Sequence, residues 1–265
     1  YLEKFDYHIA FGEDCSYNDW DRVSQKDFLF VPNKWEYISV VVIGCGRSGT
    51  NVTLEILRGS PQLIASLEPE NKNLCDGSIY DSYYLTKCDT WYFKPDQLES
   101  TMNKNPNMKI IWTMRDPRDM VLSKIVHGQP KSLGGDGSDR VADDATPEGC
   151  KADIFHMYEC YKHITSLFPT RVLVVKMEDV LSDMEKETQR ICDFVGLEYV
   201  ESMCDFPSRM RNPDKKKRYS TIDKSQISIW KNWDTAYSSF FYKNDYGILG
   251  IFESVYPLVT EFGYE

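Results

Sequence analysis

The stretch Val40–Asn51, VVVIGCGRSGTN, decides how the rest of the chain is read. Four apolar residues run into Gly44, Gly46 and Gly49 and then into small polar side chains, the pattern of a buried strand that turns tightly into a helix. The glycines let the turn direct backbone N–H groups inward, and a helix starting near Ser48 adds the positive end of its dipole. Gly46, Arg47, Ser48, Gly49, Thr50 and Asn51 together therefore read as an anion cradle. The spacing from Gly44 to Asn51 approaches the phosphate-binding pattern G-x-x-x-x-G-K-[ST], but Thr50 stands where that loop has its lysine and Asn51 follows it. The positive charge comes from Arg47, whose forked guanidinium suits an anion that needs no magnesium.

A second motif, IIWTMRDPRDMVLSK (Ile110–Lys124), has the same logic. Arg115 falls at the end of an apolar strand, Pro117 in the first turn of a helix, and Asp119 and Ser123 one turn apart on one helical face. An arginine fork with a hydroxyl suits a phosphate that the first loop does not reach. The plainer reading of Arg115 and Asp119 is a helix-terminal ion pair.

Around these motifs the chain is an ordinary globular sequence. It has 265 residues, 42% hydrophobic and 27% charged, enough for one substantial core. A formal net charge of -10 argues against general adhesion to nucleic acid or to an anionic membrane, so any anion site must be local. The eight cysteines form no C-x-x-C pair, which speaks against a zinc ribbon or a thioredoxin-type redox site. No run of 18 apolar residues is present to span a bilayer. The chain is expected in the cytoplasm, with a Golgi-lumenal fragment that has lost its anchor as the alternative.

Strand-like runs at Val40–Gly44, Thr90–Phe93, Lys109–Thr113 and Arg171–Lys176 alternate with stretches of helical apolar spacing, among them Ile154–Phe168 and Met184–Val195, the latter closed by Gly196. Such alternation predicts an α/β fold with a mostly parallel sheet covered on both faces. Residues 1–36, rich in aromatics, are expected to pack on the core of a single domain spanning 37–265. Residues 128–150, rich in Gly, Asp and Ser, read as a loop, either a lid or a disordered segment. His156, Cys160 and His163 share one helical face as three metal ligands or, the favoured reading, as core packing.

The two motifs, in this order and about seventy residues apart, resemble the sulfotransferase family that uses 3′-phosphoadenosine 5′-phosphosulfate (PAPS), nearer its carbohydrate-modifying members. The resemblance continues through RVLVVKMEDVLSDMEKETQRICDFVGLE, ISIWKNW and the closing EFGYE, and covers roughly residues 38–265. It implies a P-loop-like three-layer sandwich, PAPS as co-substrate with adenosine 3′,5′-bisphosphate (PAP) as product, and no metal. The first loop would hold the 5′-phosphosulfate, and Arg115 and Ser123 the 3′-phosphate. In the basic run RMRNPDKKKRY, Arg211 and Lys217 would approach the 3′-phosphate and adenine, and Trp230 and Lys231 would contribute similarly. Lys94, in WYFKP, would reach the sulfuryl oxygens, and Glu68, in IASLEPEN, would be the base for the acceptor hydroxyl, with Glu70 as its rival. Cytosolic members use a histidine base before the second motif, whereas here no histidine lies between Ala10 and Val126. That absence, and Arg47 in place of a lysine, imply a hydroxyl acceptor on a glycan or other small molecule. The competing readings are a P-loop nucleotide kinase and a non-catalytic nucleotide- or glycan-binding module of the same fold.

Overall fold

The computed structural model describes residues 39–65, 84–89, 94–128, 147–209, 213–220, 222–233 and 247–264. Residues 1–36, Glu68, Glu70, Arg211 and 129–146 of the expected loop lie outside the described residues. The elements run β1 (Ser39–Gly44), α1 (Thr50–Leu57), β2 (Ile64–Ala65), β3 (Tyr84–Asp89), α2 (Pro95–Lys104), β4 (Met108–Met114), α3 (Pro117–Gly128), α4 (Pro147–Leu167), β5 (Val172–Lys176), α5 (Met177–Ser182), α6 (Met184–Val195), α7 (Phe206–Arg209), α8 (Pro213–Ser220) and α9 (Ile248–Glu261).

The five described strands pair in parallel in the order β2-β3-β1-β4-β5. β1 sits in the middle because both of its faces are apolar, and the alternation along it divides the core. Val41 and Ile43 pack with Ile110, Trp112, Met157 and Leu258 under α2, α3, α4 and α9. Val40 and Val42 pack with Ile111, Leu54, Val180 and Ile191 under α1, α5 and α6. The result is the expected α/β three-layer sandwich. No helix among the described residues is long and apolar enough to cross a membrane.

The differences from the sequence reading are local. The strand beside β1 is Tyr84–Asp89, with Val41 opposite Thr86, while Thr90–Phe93 lies outside the described residues. Helix α4 starts seven residues earlier than expected, at Pro147, and Gly128 closes α3, so both ends of the expected 128–150 loop are helical. Proline at a first helical position costs nothing, since its missing N–H would have no partner there. Helix α6 has the expected bounds: the Asp183 side chain accepts from the Lys186 N–H at 3.1 Å, and Gly196, in the left-handed region, closes it.

β1 comes close to β4 at Gly44. A methyl group there would collide with the hydroxyls of Thr113 and Ser48 and with the Thr113 carbonyl. Replacing Gly44 with alanine is therefore expected to lower stability by roughly 1–3 kcal/mol, the usual cost of overpacking. Urea unfolding checks this, and an unchanged midpoint would mean that the seam has room to spare.

Candidate functional site

Parallel neighbours end on the same edge of a sheet, so the loop after β1 and the start of α3 after β4 lie side by side. The loop turns through Cys45, whose carbonyl accepts the Ser48 N–H at 3.0 Å. Arg47 has φ 75° and Gly49 φ 100°. Gly49 is the N-cap of α1 and offers no side chain to the helix end, while the Met177 sulfur stands 2.6 Å from where its Cβ would be. A helix N-terminus without a side-chain cap, next to an arginine, is suited to an anion.

The hydroxyls of Ser48 and Thr113 are 2.8 Å apart, and that of Thr113 donates to the Ile43 carbonyl at 3.3 Å. The Ser48 side chain thus points into the protein and fastens the loop to β4. Thr50 is buried and Asn51 exposed. From the crest of the loop, Arg47 Nε donates to Ser123 Oγ at 2.9 Å. The two motifs of the sequence therefore touch, 76 residues apart.

Arg115 is nearly buried and turns the other way. Its Nη2 donates to the Gln226 carbonyl at 2.8 Å and lies 3.8 Å from Asp119 Oδ2. The Asp119 carboxylate in turn accepts the N–H of Ser228 and of Trp230, both at 2.9 Å. The plainer reading of this pair is partly right, since the ion pair exists, but it also anchors residues 226–230 over the start of α3. Burial holds the Asp119 carboxyl above its ordinary range, against the opposing pull of Arg115 and the two N–H donors.

The second arginine of RDPRD is built into the scaffold. Arg118 grips both oxygens of Asp116, at 2.9 and 2.7 Å, donates to the Tyr264 carbonyl at 2.8 Å and stacks 3.6 Å from the Trp230 ring centre. Beyond it a cleft of about 520 Å³ opens, lined by Asp116, Lys176, Glu178, Trp230 and Tyr264 among others. Glu178 Oε1 accepts the Asp116 N–H at 2.9 Å. Burial raises the Glu178 carboxyl above its usual range, and burial with the charge of Glu178 raises the Tyr264 phenol.

Of the other expected cofactor and catalytic residues, Lys94 and Lys217 are described. Lys94 is the exposed N-cap of α2, where its N–H donates to the Gln97 side chain at 2.7 Å. Lys217 is exposed on α8, which packs through Tyr219 on Phe206. Glu68 and Arg211 lie outside the described residues. His163 pairs with Glu99 at 2.8 Å and Cys160 is buried 3.6 Å from His156, and no metal-binding group of three or more His, Cys, Asp or Glu occurs among the described residues. Thr113 and Gln226, both part of the site's frame, carried no signal in the sequence beyond their place at a strand end and in a loop.

Residues 72–201 match the model of the family described as the sulfotransferase family, a span that takes in Arg115 and Ser123. No curated protein matches the chain. The fold is shared with solved sulfotransferases. The crystal structure of mouse sulfotransferase SULT7A1 complexed with PAP is 14% identical, with a TM-score of 0.50, covering 81% of this chain and 88% of that one. The sulfotransferase domain from the curacin biosynthetic pathway is 15% identical, with a TM-score of 0.51, covering 79% and 98%. That of the Synechococcus PCC 7002 olefin synthase is 16% identical, with a TM-score of 0.51, covering 76% and 90%. At these identities the likeness is one of fold.

Glu178 gives the site frame a testable pH signature. A carboxyl raised in the folded state holds its proton there more firmly than in the unfolded chain, whose value is near 4.5. It therefore costs stability as pH rises from that value through the raised one. Glu178→Gln is expected to gain steadily on the wild type in thermal midpoint as pH is raised from about 4 to 7. A gap that closes with rising pH would contradict the burial argument.

Proposed function

We propose that this chain, which shares the fold of solved sulfotransferases and matches the sulfotransferase family model over residues 72–201, uses PAPS to transfer a sulfuryl group to a hydroxyl, and that the hydroxyl belongs to a carbohydrate. The observation that carries the reading is the hydrogen bond from Arg47 to Ser123. It joins the strand–loop–helix cradle to the Arg115–Ser123 helix, so that one bound molecule with two anionic groups can engage both.

The donors present fit such a nucleotide. The uncapped start of α1, with Arg47 and the exposed Asn51, would face its 5′-phosphosulfate. Ser123, with the neighbouring Arg115, would face its 3′-phosphate. When bound, the nucleotide supplies the activated sulfuryl group. The chain's own task is to hold acceptor and donor in line and to stabilise the charge that develops on the leaving phosphate, for which Arg47 on the loop would be the cation. Glu68 would take the acceptor proton, and Lys94 would approach the sulfuryl oxygens. The absence of any histidine between Ala10 and Val126 and the arginine at position 47 support the glycan acceptor.

PAP is expected to raise the thermal midpoint without magnesium. Ser123→Ala should weaken its binding about tenfold or more, the worth of one hydrogen bond to a charged group. Protection only by ATP with magnesium would favour a kinase and overturn the reading. With labelled PAPS and a panel of sugars and steroids, Glu68→Gln should reduce kcat by about 10²- to 10⁴-fold and leave PAP affinity unchanged. Transfer at the wild-type rate would remove Glu68 from the reaction, and transfer to steroids alone would remove the glycan.

A further inference from the structure

Beneath the loop lies a second group of polar side chains that sulfuryl transfer does not use. Cys45, the first residue of the loop, is wholly buried, and its thiol donates to Asp153 Oδ2 at 3.1 Å. The same oxygen takes the ammonium of Lys124, the residue after Ser123. Asp153 stands in the second turn of α4 with 1% of its surface exposed, and its other oxygen has no hydrogen-bond partner among the described residues.

Stability does not explain this arrangement. A thiol is a weak donor, and a buried lysine–carboxylate pair is commonly no better than an apolar pair of the same volume. An acid left half-satisfied in the interior is worse still. What the arrangement does achieve is geometric. Ser123 receives the crest of the loop through Arg47, while Lys124, one residue on, meets the base of the loop through Asp153 and Cys45. The loop is thereby held to α3 at two heights, and α4 joins the lower hold.

We propose that Asp153 is a positioning residue of the anion loop: by binding Cys45 and Lys124 together, its carboxylate fixes where Arg47 stands relative to α3. The inference rests on the reading of the site as a PAPS cradle. A loop freed at its base would still reach Ser123 but would have to be ordered by the nucleotide itself, which costs affinity and misplaces the cation in the transition state.

Calorimetry with PAP, transfer kinetics with PAPS and thermal unfolding, all on the full chain, test it. Replacing the pair with apolar residues, Lys124→Met with Asp153→Leu, should leave the thermal midpoint at or above that of the wild type. The same variant should weaken PAP binding about tenfold and lower kcat by up to about a hundredfold. Cys45→Ser, which keeps a donor, should bind PAP like the wild type, and Cys45→Ala several-fold more weakly. If the wild type binds PAP and the double variant binds it equally well, the positioning role is wrong and the cradle stands. If the wild type does not bind PAP, the cradle itself is wrong and the inference falls with it. Should the double variant not fold, the cysteine pair decides alone: equal affinity for Cys45→Ser and Cys45→Ala would overturn the proposal.

Discussion

Everything at the site depends on the contact at Gly44, where β1 comes so close to β4 that there is room for a hydrogen and no more. The space that a side chain would occupy holds two hydroxyls, Ser48 and Thr113, 2.8 Å apart. One hydroxyl belongs to the loop and the other to the neighbouring strand, so the loop is fastened to the sheet before any ligand arrives. Because Ile43 is level with Trp112 in the register, the chain leaving β4 enters α3 beside the loop rather than behind it. A shift of one residue in that pairing would turn Thr113 to the opposite face and remove the fastening.

The acidic chain solves a local problem with this frame. A protein with a net charge of -10 repels anions at long range, and the acids closest to the site would make matters worse if left alone. Each is instead tied to a cation or to backbone donors: Asp116 to Arg118, Asp119 to Arg115 and two N–H groups, Asp153 to Lys124. These pairs neutralise the floor of the site while fastening three distant segments to it. Asp116 and Arg118 bring in the chain end at Tyr264, and Asp119 brings in residues 228–230.

How much of this was legible follows from the range of each interaction. β1, α6 and the apolar heart of β4 could be read because their signals are local: a continuous apolar run, a 3.6-residue period, a Gly at the C-terminal end. The start of α4 was misplaced because the polar first turn after Pro147 has no apolar period to mark it. Arg47, Arg115 and Ser123 stood out by residue type and spacing, but their partners did not. The sequence suggested two pockets at opposite ends of a ligand, whereas Arg47 reaches Ser123 directly and Arg115 turns to Gln226, 111 residues away. Cys45 reads in the sequence only as one of eight cysteines without a metal or redox pattern, since nothing near it in the chain announces Asp153, 108 residues on. Contacts of that kind are set by which strands are neighbours, and spacing along the chain does not contain them.

The backbone at Arg47 adds one further step. An L-residue with φ 75° sits in the left-handed region, at a cost of about 1–2 kcal/mol that a glycine would not incur. The loop already has glycines on both sides of this position, at Gly46 and Gly49, so backbone ease alone does not account for an arginine there. Part of what the side chain does there is the hydrogen bond from its Nε to the Ser123 hydroxyl, worth about 0.5–1.5 kcal/mol net if the donor is counted as neutral, and somewhat more as a cation. A residue held in the left-handed region, with its side chain laid across to the helix that follows β4, is the kind of strained position that gathers at ligand sites, and it agrees with the proposed anion cradle.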